Sequence, residues 1–306
     1  MNNSFQKFNN ADMHLHTNFS DGSLSPYNLI RLAYTNNVEL VSITDHDTVN
    51  GIIDLNNNKI EGENYIYLLA GVELSTNYSE DSHVLGYGDN LFNYSFATHF
   101  EKLKKGRLNR ESIIIDKLKK LGINITSEQI KGTNDNQSGG KQTVGRVHIA
   151  KTLIKYGYVD SIDEAFNKYL ADGRPAYVER PLHSIKETVE LLSQNNVFPV
   201  LAHPKLIGLN INKLYFIIKE LKYCGLEGIE VYHPSANEDY QKQLRAIADE
   251  FNLVCTSGSD YHYTEDNLFP GSMIPSWGEN MFSDISKTME RMYKLGVQAK
   301  KYYFAV

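Results

Sequence analysis

The chain has 306 residues, 41% of them hydrophobic, enough to bury a full core in one large α/β domain or in a main domain carrying an insert. Its formal charge of −6 and pI near 5.9 exclude a global electrostatic pull toward nucleic acid or an anionic membrane. Two distant cysteines, Cys224 and Cys255, with no CxxC spacing, exclude a disulfide scaffold and a thiolate metal site and suit a reducing compartment.

The opening MNNSFQKFNN has no apolar stretch of the kind a secretory signal needs. No run reaches the ~18 apolar residues of a membrane helix. A soluble, cytoplasmic protein with no membrane association is expected. Asparagine-rich patches such as Asn56 to Asn58 read as surface loops.

Strand-like runs follow one another along the chain, each ending in polar residues. They are ADMHLH (to His16), VELVSITDH (to His46), YIYLLAGVEL (to Leu74), HVLGYG (to Gly88), FPVLAHP (to Pro204), GIEVYHP (to Pro234) and LVCTSGSDYH (to His262). Helical patterns lie between most of them. In SPYNLIRLAYTNN, Ser25 is an N-cap candidate with Pro26 at the first helical position. HSIKETVELLSQNN, INKLYFIIKELKYCG and NEDYQKQLRAIADEF have amphipathic spacing. Short buried strands alternating with helices predict parallel βα units, as a barrel or an open sheet.

Residues from Tyr94 to Arg180 break this rhythm and predict a helical insertion. It begins with EKLKKGRLNRESIIIDKLKKLG (101–122), eight Lys and Arg against three Asp and Glu. Such a run reads first as a solvated face, and second as a guide for the backbone of a short RNA. GTNDNQSGG (132–140) reads as a loop, and two further helices follow. GGKQT (139–143) lacks the upstream glycine of a phosphate-binding loop. The expected organisation is a discontinuous barrel domain (8–93 and 181–282), an insert (94–180), and a C-terminal helix and tail (283–306) that closes the barrel.

The chemistry gathers at the strand ends: HLH (14–16), TDHDT (44–48), GVELS (71–75), SHVLGYG (82–88), AHP (202–204) and GSDYH (258–262). Six of the ten histidines fall there, which a random scatter would not produce. In a βα barrel these ends face a common mouth. His14 and His16 are two apart on a strand and share a face, as do Asp260 and His262. Imidazole and carboxylate together are the donors of Zn, Mn and Fe sites, and burying them without a cation is costly. His99, His183 and His233, taken singly, read as ordinary histidines. Asp47 reads as a helix cap. Asp45 is left between that role and orienting His46.

HLHTNFSDGSLSP, ITDHDTVNGI, GVELS, AHP and GSDYH together resemble the polymerase and histidinol phosphatase (PHP) family of metal-dependent phosphoesterases. GRVHIAKTLIKYGYVDSIDEAF and YLADGRPAY resemble its stand-alone nucleotide phosphatase and 5′-to-3′ exoribonuclease subgroup. The resemblance implies an α/β fold, a distorted (β/α)7 barrel with a helical insertion, and two or three divalent ions at its mouth. Mn comes first among these, with Fe and Zn as alternatives. It assigns His14, His16, Glu73 and Asp260 to one ion, Glu73, His83 and His203 to a second, and Asp21, His46 and His262 to a third. All nine positions carry the expected residue type. Lys205 and Leu206 stand where relatives often carry glycine and arginine, which leaves Lys205 as a point charge for the substrate.

The reaction implied is hydrolysis of a nucleotide phosphomonoester by metal-activated water, foremost the 3′-phosphate of a nucleoside 3′,5′-bisphosphate. Glu73, Asp21, His46 and Asp260 would be at its centre. Arg146 and His148 are expected to contact the substrate phosphate. Short oligoribonucleotides and histidinol phosphate are the alternative substrates, and no obligate protein partner is implied. Two other classes compete: amide hydrolysis, whose barrels share HxH but usually bridge metals with lysine where Glu73 stands, and a non-catalytic metal-binding or regulatory module.

Overall fold

The structure, a computed structural model, describes residues 8, 10–58, 62–79, 81–133, 145–179, 182–263, 269–271 and 274–305, with 274–279 as backbone only. Of the stretch read as a loop at 132–140, Gly132 and Thr133 are described; the GGKQT stretch lies outside the described residues.

The elements run β1 (Ala11–Leu15), α1 (Pro26–Thr35), β2 (Leu40–Ile43), α2 (Asn50–Asn57), β3 (Asn64–Ser75) and β4 (His83–Tyr87). The insert supplies α3 (Tyr94–Lys120), α4 (Ser127–Gly132), α5 (Arg146–Lys155) and α6 (Ile162–Ala165). Then come α7 (Ile185–Gln194), β5 (Phe198–Leu201), α8 (Ile211–Tyr223), β6 (Gly228–Tyr232), α9 (Glu238–Glu250), β7 (Val254–Ser257), α10 (Ile274–Lys294) and β8 (Lys300–Phe304). Helix starts follow local chemistry: the Ser25 hydroxyl accepts from Asn28 N–H at 3.3 Å, with Pro26 at the first position.

Strands β1 to β7 neighbour one another in chain order. The path closes where His16 N–H reaches Tyr261 O at 3.1 Å and Asp260 N–H reaches His14 O at 3.0 Å. This is the distorted seven-stranded barrel the sequence motifs implied. β1, β2, β5, β6 and β7 are buried along their whole length, because helices or other strands cover both faces. One departure from uniform parallel βα units is β4, which is antiparallel to both β3 and β5. The described residues of the short 76–82 connection hold no helix, and β4 turns back along β3 and brings His83 to Glu73.

The barrel core includes Met13, Val72, Val200, Ile229 and Val231. A separate cluster under the insert joins Ile114, Leu118, Ile149, Leu153 and Leu170. Helix α3 belongs to both: Phe96 and Leu103 pack on the barrel, while Ile114 and Leu118 pack in the insert. Helix α3 thus ties the insert's cluster to the barrel core. The tail differs from expectation. β8 pairs antiparallel with Asn64–Leu68 of β3, off the barrel path, so it extends the sheet instead of closing the barrel.

Candidate metal centre

The barrel mouth is built around one carboxylate. Glu73, at the C-terminal end of β3, is 1% exposed. Its Oε2 has His14 Nε2 at 3.2 Å, His16 Nε2 at 3.1 Å and His46 Nδ1 at 3.1 Å. Its Oε1 has His83 Nδ1 at 3.1 Å and His203 Nε2 at 2.8 Å, and those two nitrogens lie 3.2 Å apart. Asp260 Oδ1 adds contacts of 3.4 Å to His14 and 3.1 Å to His16. Asp21 lies 3.6 Å from His46 and 3.2 Å from His262. All nine residues singled out from the strand ends thus meet in one cluster. Three groups of donors within it are close enough to share an ion: His14, His16, Glu73 and Asp260; His16, Asp21, His46 and His262; and His46, Glu73 and His83.

The donors fit a cation by a direct criterion. His14 Nε2, His16 Nε2, His46 Nδ1, Glu73 Oε2, Asp21 Oδ1 and Asp260 Oδ1 are buried and have no well-formed hydrogen bond among the described residues. Buried polar atoms are normally satisfied, and bound cations would satisfy orphans that face one another in this way. His46 shows a detail the three-ion assignment did not include: its two nitrogens face different carboxylates, Glu73 and Asp21.

Backbone strain concentrates here. Among the described residues, six non-glycine residues have positive φ; three are asparagines (Asn37, Asn196 and Asn252), which tolerate that region. The other three are Asp47 (φ 56°), His203 (φ 24°) and Asp260 (φ 54°), all in loops that carry the cluster. Strain held at a site is the mark of a geometry the surroundings over-determine.

Charge reinforces the geometry. Burial works against the imidazolium of His16, yet the adjoining Asp260 and Glu73 carboxylates outweigh it and push the group up to about 10. Burial pulls His46 down to about 3, against the opposing fields of Glu73 and Asp21. Burial alone would raise Glu73, but the surrounding histidines, His46 and His83 foremost, hold it well below the usual carboxylate range.

Several residues behave differently from their sequence reading. Asp47 does not cap α2, whose N-cap is Val49 with no side-chain cap bond. Its carboxylate instead accepts Ser75 N–H at 3.0 Å and Ser75 O–H at 3.1 Å, and pairs with Arg107 of α3. Asp45 does not orient His46: it accepts Thr17 N–H (2.8 Å), Thr17 O–H (2.7 Å) and Ser20 O–H (2.7 Å), and so pins the loop after HLH. Asp45→Ala leaves all three donors unpaired and should lower stability by about 2–4 kcal/mol. Thermal denaturation reads this directly, and an unchanged melting temperature would refute the pinning role. His233, read as an ordinary histidine, is buried with Nε2 3.6 Å from Asp260 Oδ2, its ring beside His203. His99 and His183 pair with each other at 5.4 Å between ring centroids.

The expected substrate contacts separate. Arg146 lines a cavity of about 830 Å³ that joins Asp21, His46 and His83 to the insert. His148 is buried, and its Nδ1 accepts Gly145 N–H at 3.0 Å. Burial, with help from Lys151 and Arg107, lowers it to about 4 against the field of Asp21. It is a neutral ring that closes its own helix start, not a cation for phosphate. Lys205 places its ammonium over the Tyr240 ring at 4.6 Å and does not line the cavity.

The sequence reading passed over two buried acids. Asp12 shares the β1 alternation with His14 and His16, and accepts Ser259 N–H (2.9 Å) and Gly271 N–H (2.8 Å). Glu230 is the lone charge in the apolar run GIEVY. A charge within a fully buried strand was the available signal for both.

The PHP domain family profile matches residues 12–252. The chain belongs to the PHP domain family. It is 30% identical over 275 residues to a 5′-3′ exoribonuclease of Haemophilus influenzae, covering 87% of this chain and 97% of that one. It is 28% identical over 284 residues to a 3′,5′-nucleoside bisphosphate phosphatase of Chromobacterium violaceum, covering 88% and 96%. Among solved structures, an amidohydrolase of Chromobacterium violaceum with bound sulfate and no metal superposes with a TM-score of 0.72 at 27% identity, over 85% of this chain and 90% of that one. The fold, the family and the hydrolase class agree, and this PHP chain is a phosphoesterase. No helix among its described residues is long and apolar enough to cross a membrane.

Proposed function

We propose that this PHP protein hydrolyses a phosphomonoester of a nucleotide, foremost the 3′-phosphate of a nucleoside 3′,5′-bisphosphate, using two or three divalent ions of the Mn, Fe or Zn type. The observation that carries the reading is Glu73, one buried carboxylate between five imidazoles. His14, His16, Glu73 and Asp260 would hold one ion, Glu73, His83 and His203 another, and Asp21, His46 and His262 a third. When bound, the ions supply Lewis acidity toward phosphoryl oxygens and lower the pKa of the attacking water.

The chain's own residues set what is bound. Arg107, Arg110 and Arg146 share the cavity beside the cluster. Arg146 lies 5.4 Å from the Phe166 ring and 5.8 Å from that of Tyr177, and donates to Leu170 O at 3.3 Å. Arg110 lies over the Tyr177 ring at 5.8 Å and donates to Val178 O at 2.6 Å. Carbonyls and ring faces help to hold these guanidinium groups in the cavity wall, and a planar guanidinium is suited to bidentate phosphate recognition. Asp81, Glu111, Asp172 and Glu179 also line the cavity. Recognition therefore rests on where the forks point, not on bulk positive charge. The insert helix α3 uses Arg107, Arg110 and Lys117 inward, while Lys102, Lys105, Lys119 and Lys120 are exposed.

The test is product analysis. With Mn²⁺, the purified protein should release inorganic phosphate from adenosine 3′,5′-bisphosphate. Mononucleotide release from a 5-mer RNA without phosphate release would make the exoribonuclease reading the right one. A flat response across a nucleotide panel would leave a metal-binding module. Arg146→Ala should raise KM for the bisphosphate roughly tenfold, about 1.4 kcal/mol, with little change in kcat. The same variant should leave p-nitrophenyl phosphate turnover unchanged, and equal losses on both substrates would remove Arg146 from recognition.

A further inference from the structure

Strand β6 is the one barrel strand that contributes nothing to the nine-residue cluster, yet it holds the most buried acid in the molecule's mouth. Glu230 is 0% exposed. Its two oxygens go to two different strands: Oε1 to His14 Nδ1 on β1 at 2.9 Å, and Oε2 to the backbone N–H of His203, just past β5, at 2.7 Å. Gly258 makes room for it, since a Cβ there would sit 2.5 Å from Glu230 Oε1 and 2.2 Å from His14 Cβ.

Both contacts have consequences at the far side of the ring. A carboxylate at Nδ1 requires a proton there, so the neutral ring turns the lone pair of Nε2 toward Glu73 and Asp260. The second contact holds a residue with φ of 24°, a strained value that persists only when neighbours fix it. His203 then delivers its Nε2 to Glu73 Oε1 at 2.8 Å.

We propose that Glu230 is a positioning residue that sets the ring tautomer of His14 and the backbone pose of His203 together, and so couples two neighbouring metal subsites through one buried carboxylate. The coupling rests on the reading of His14 and His203 as metal donors; the tautomer does not. Glutamine is the informative replacement, because both partners of Glu230 are donors and an amide has one accepting atom. If the amide oxygen keeps the His203 N–H, which cannot invert, the NH₂ group faces His14 Nδ1. The ring proton must then move to Nε2, the face that would bind the ion.

The experiment has two arms. In the first, zinc binding to the metal-stripped protein is titrated and counted by elemental analysis for wild type, Glu230→Gln and Glu230→Asp. Glu230→Gln should weaken both of the tightest sites by roughly 10–100-fold, and Glu230→Asp, which keeps two acceptors, should recover part of the loss. Weakening of one site alone, or equal affinities throughout, overturns the coupling. In the second arm, long-range ¹H–¹⁵N spectra of the metal-free protein, at a pH where the ring is neutral, report which nitrogen of His14 carries the proton. Nδ1–H in wild type and in Glu230→Asp, with Nε2–H in Glu230→Gln, is the expected result. Nδ1–H in all three overturns the tautomer assignment. If wild type takes up no zinc, the coupling falls with the metal reading itself, while the spectra still decide the role of Glu230 at His14. Should Glu230→Gln fail to fold, the comparison of wild type with Glu230→Asp decides: unchanged zinc affinities after shortening the carboxylate by one methylene overturn the proposal.

Discussion

Glu73→Ala should strip the centre of metal and lower kcat by more than ~100-fold, beyond the 10–100-fold that loss of an outer hydrogen-bond partner costs a metal site. Five imidazole nitrogens approach its two oxygens at 2.8–3.2 Å, so no other side chain can replace it as the element shared between subsites. Removing it also takes away the carboxylate these five rings share, leaving Asp260, Asp21 and Glu230 as the remaining countercharges, so the metal-free variant should be less stable than the metal-free wild type. The measurements are metal content per chain, steady-state phosphate release, and thermal denaturation with and without Mn²⁺. His183→Ala, whose ring pairs with His99 outside the cluster, serves as the control and should keep its metal and its rate. A Glu73→Ala protein with full metal content would dismantle the bridging role.

Metal uptake should release protons, and its apparent affinity should climb with pH from about 7 toward 10. The sign follows from the groups themselves. His16 is held protonated up to about 10 in the metal-free cluster, and a ligand nitrogen must first lose that proton. Each unit below that value therefore costs about tenfold in affinity from this group. His46, pulled down to about 3, is already neutral and adds no such dependence above that pH. Asp21, Glu73 and Asp260 are held well below the usual carboxylate range and stay anionic throughout. Folding stability of the metal-free protein follows the same group in the opposite direction. The raised His16 contributes stability fully present below its unfolded value of about 6.5, and this is lost as pH rises through about 10. Titration calorimetry in buffers of different ionisation enthalpy counts the protons, and competition against a chelator at several pH values gives the slope. Uptake with no proton release would mean that His16 is not displaced onto a metal.

Much of the cluster is legible in the order of residues. HLH puts two rings on one face because strand side chains alternate, and GSDYH pairs Asp260 with His262 for the same reason. Strand ends were legible because each buried apolar run stops at a polar residue. What misled the reading was local chemistry with two outlets. Asp47 precedes a helix and has the residue type of a cap, but it spends its oxygens on Ser75 and on Arg107, sixty positions away. His148 lies near a cavity with basic walls, but its own helix start takes Nδ1.

By itself, the order of residues determined the donor types, their placement at strand ends, and the alternation of strand and helix, since these depend on spacing and on neighbours a few positions apart. Only the tertiary structure decided that β4 runs antiparallel, that the tail becomes a strand on β3, and that Glu230 rather than Asp45 holds a cluster histidine. Two of those outcomes join segments more than two hundred positions apart, His14 to Glu230 and Asn64 to Phe304. Which of several chemically equivalent acids reaches a given ring is fixed by how the barrel closes, and no local pattern encodes that distance.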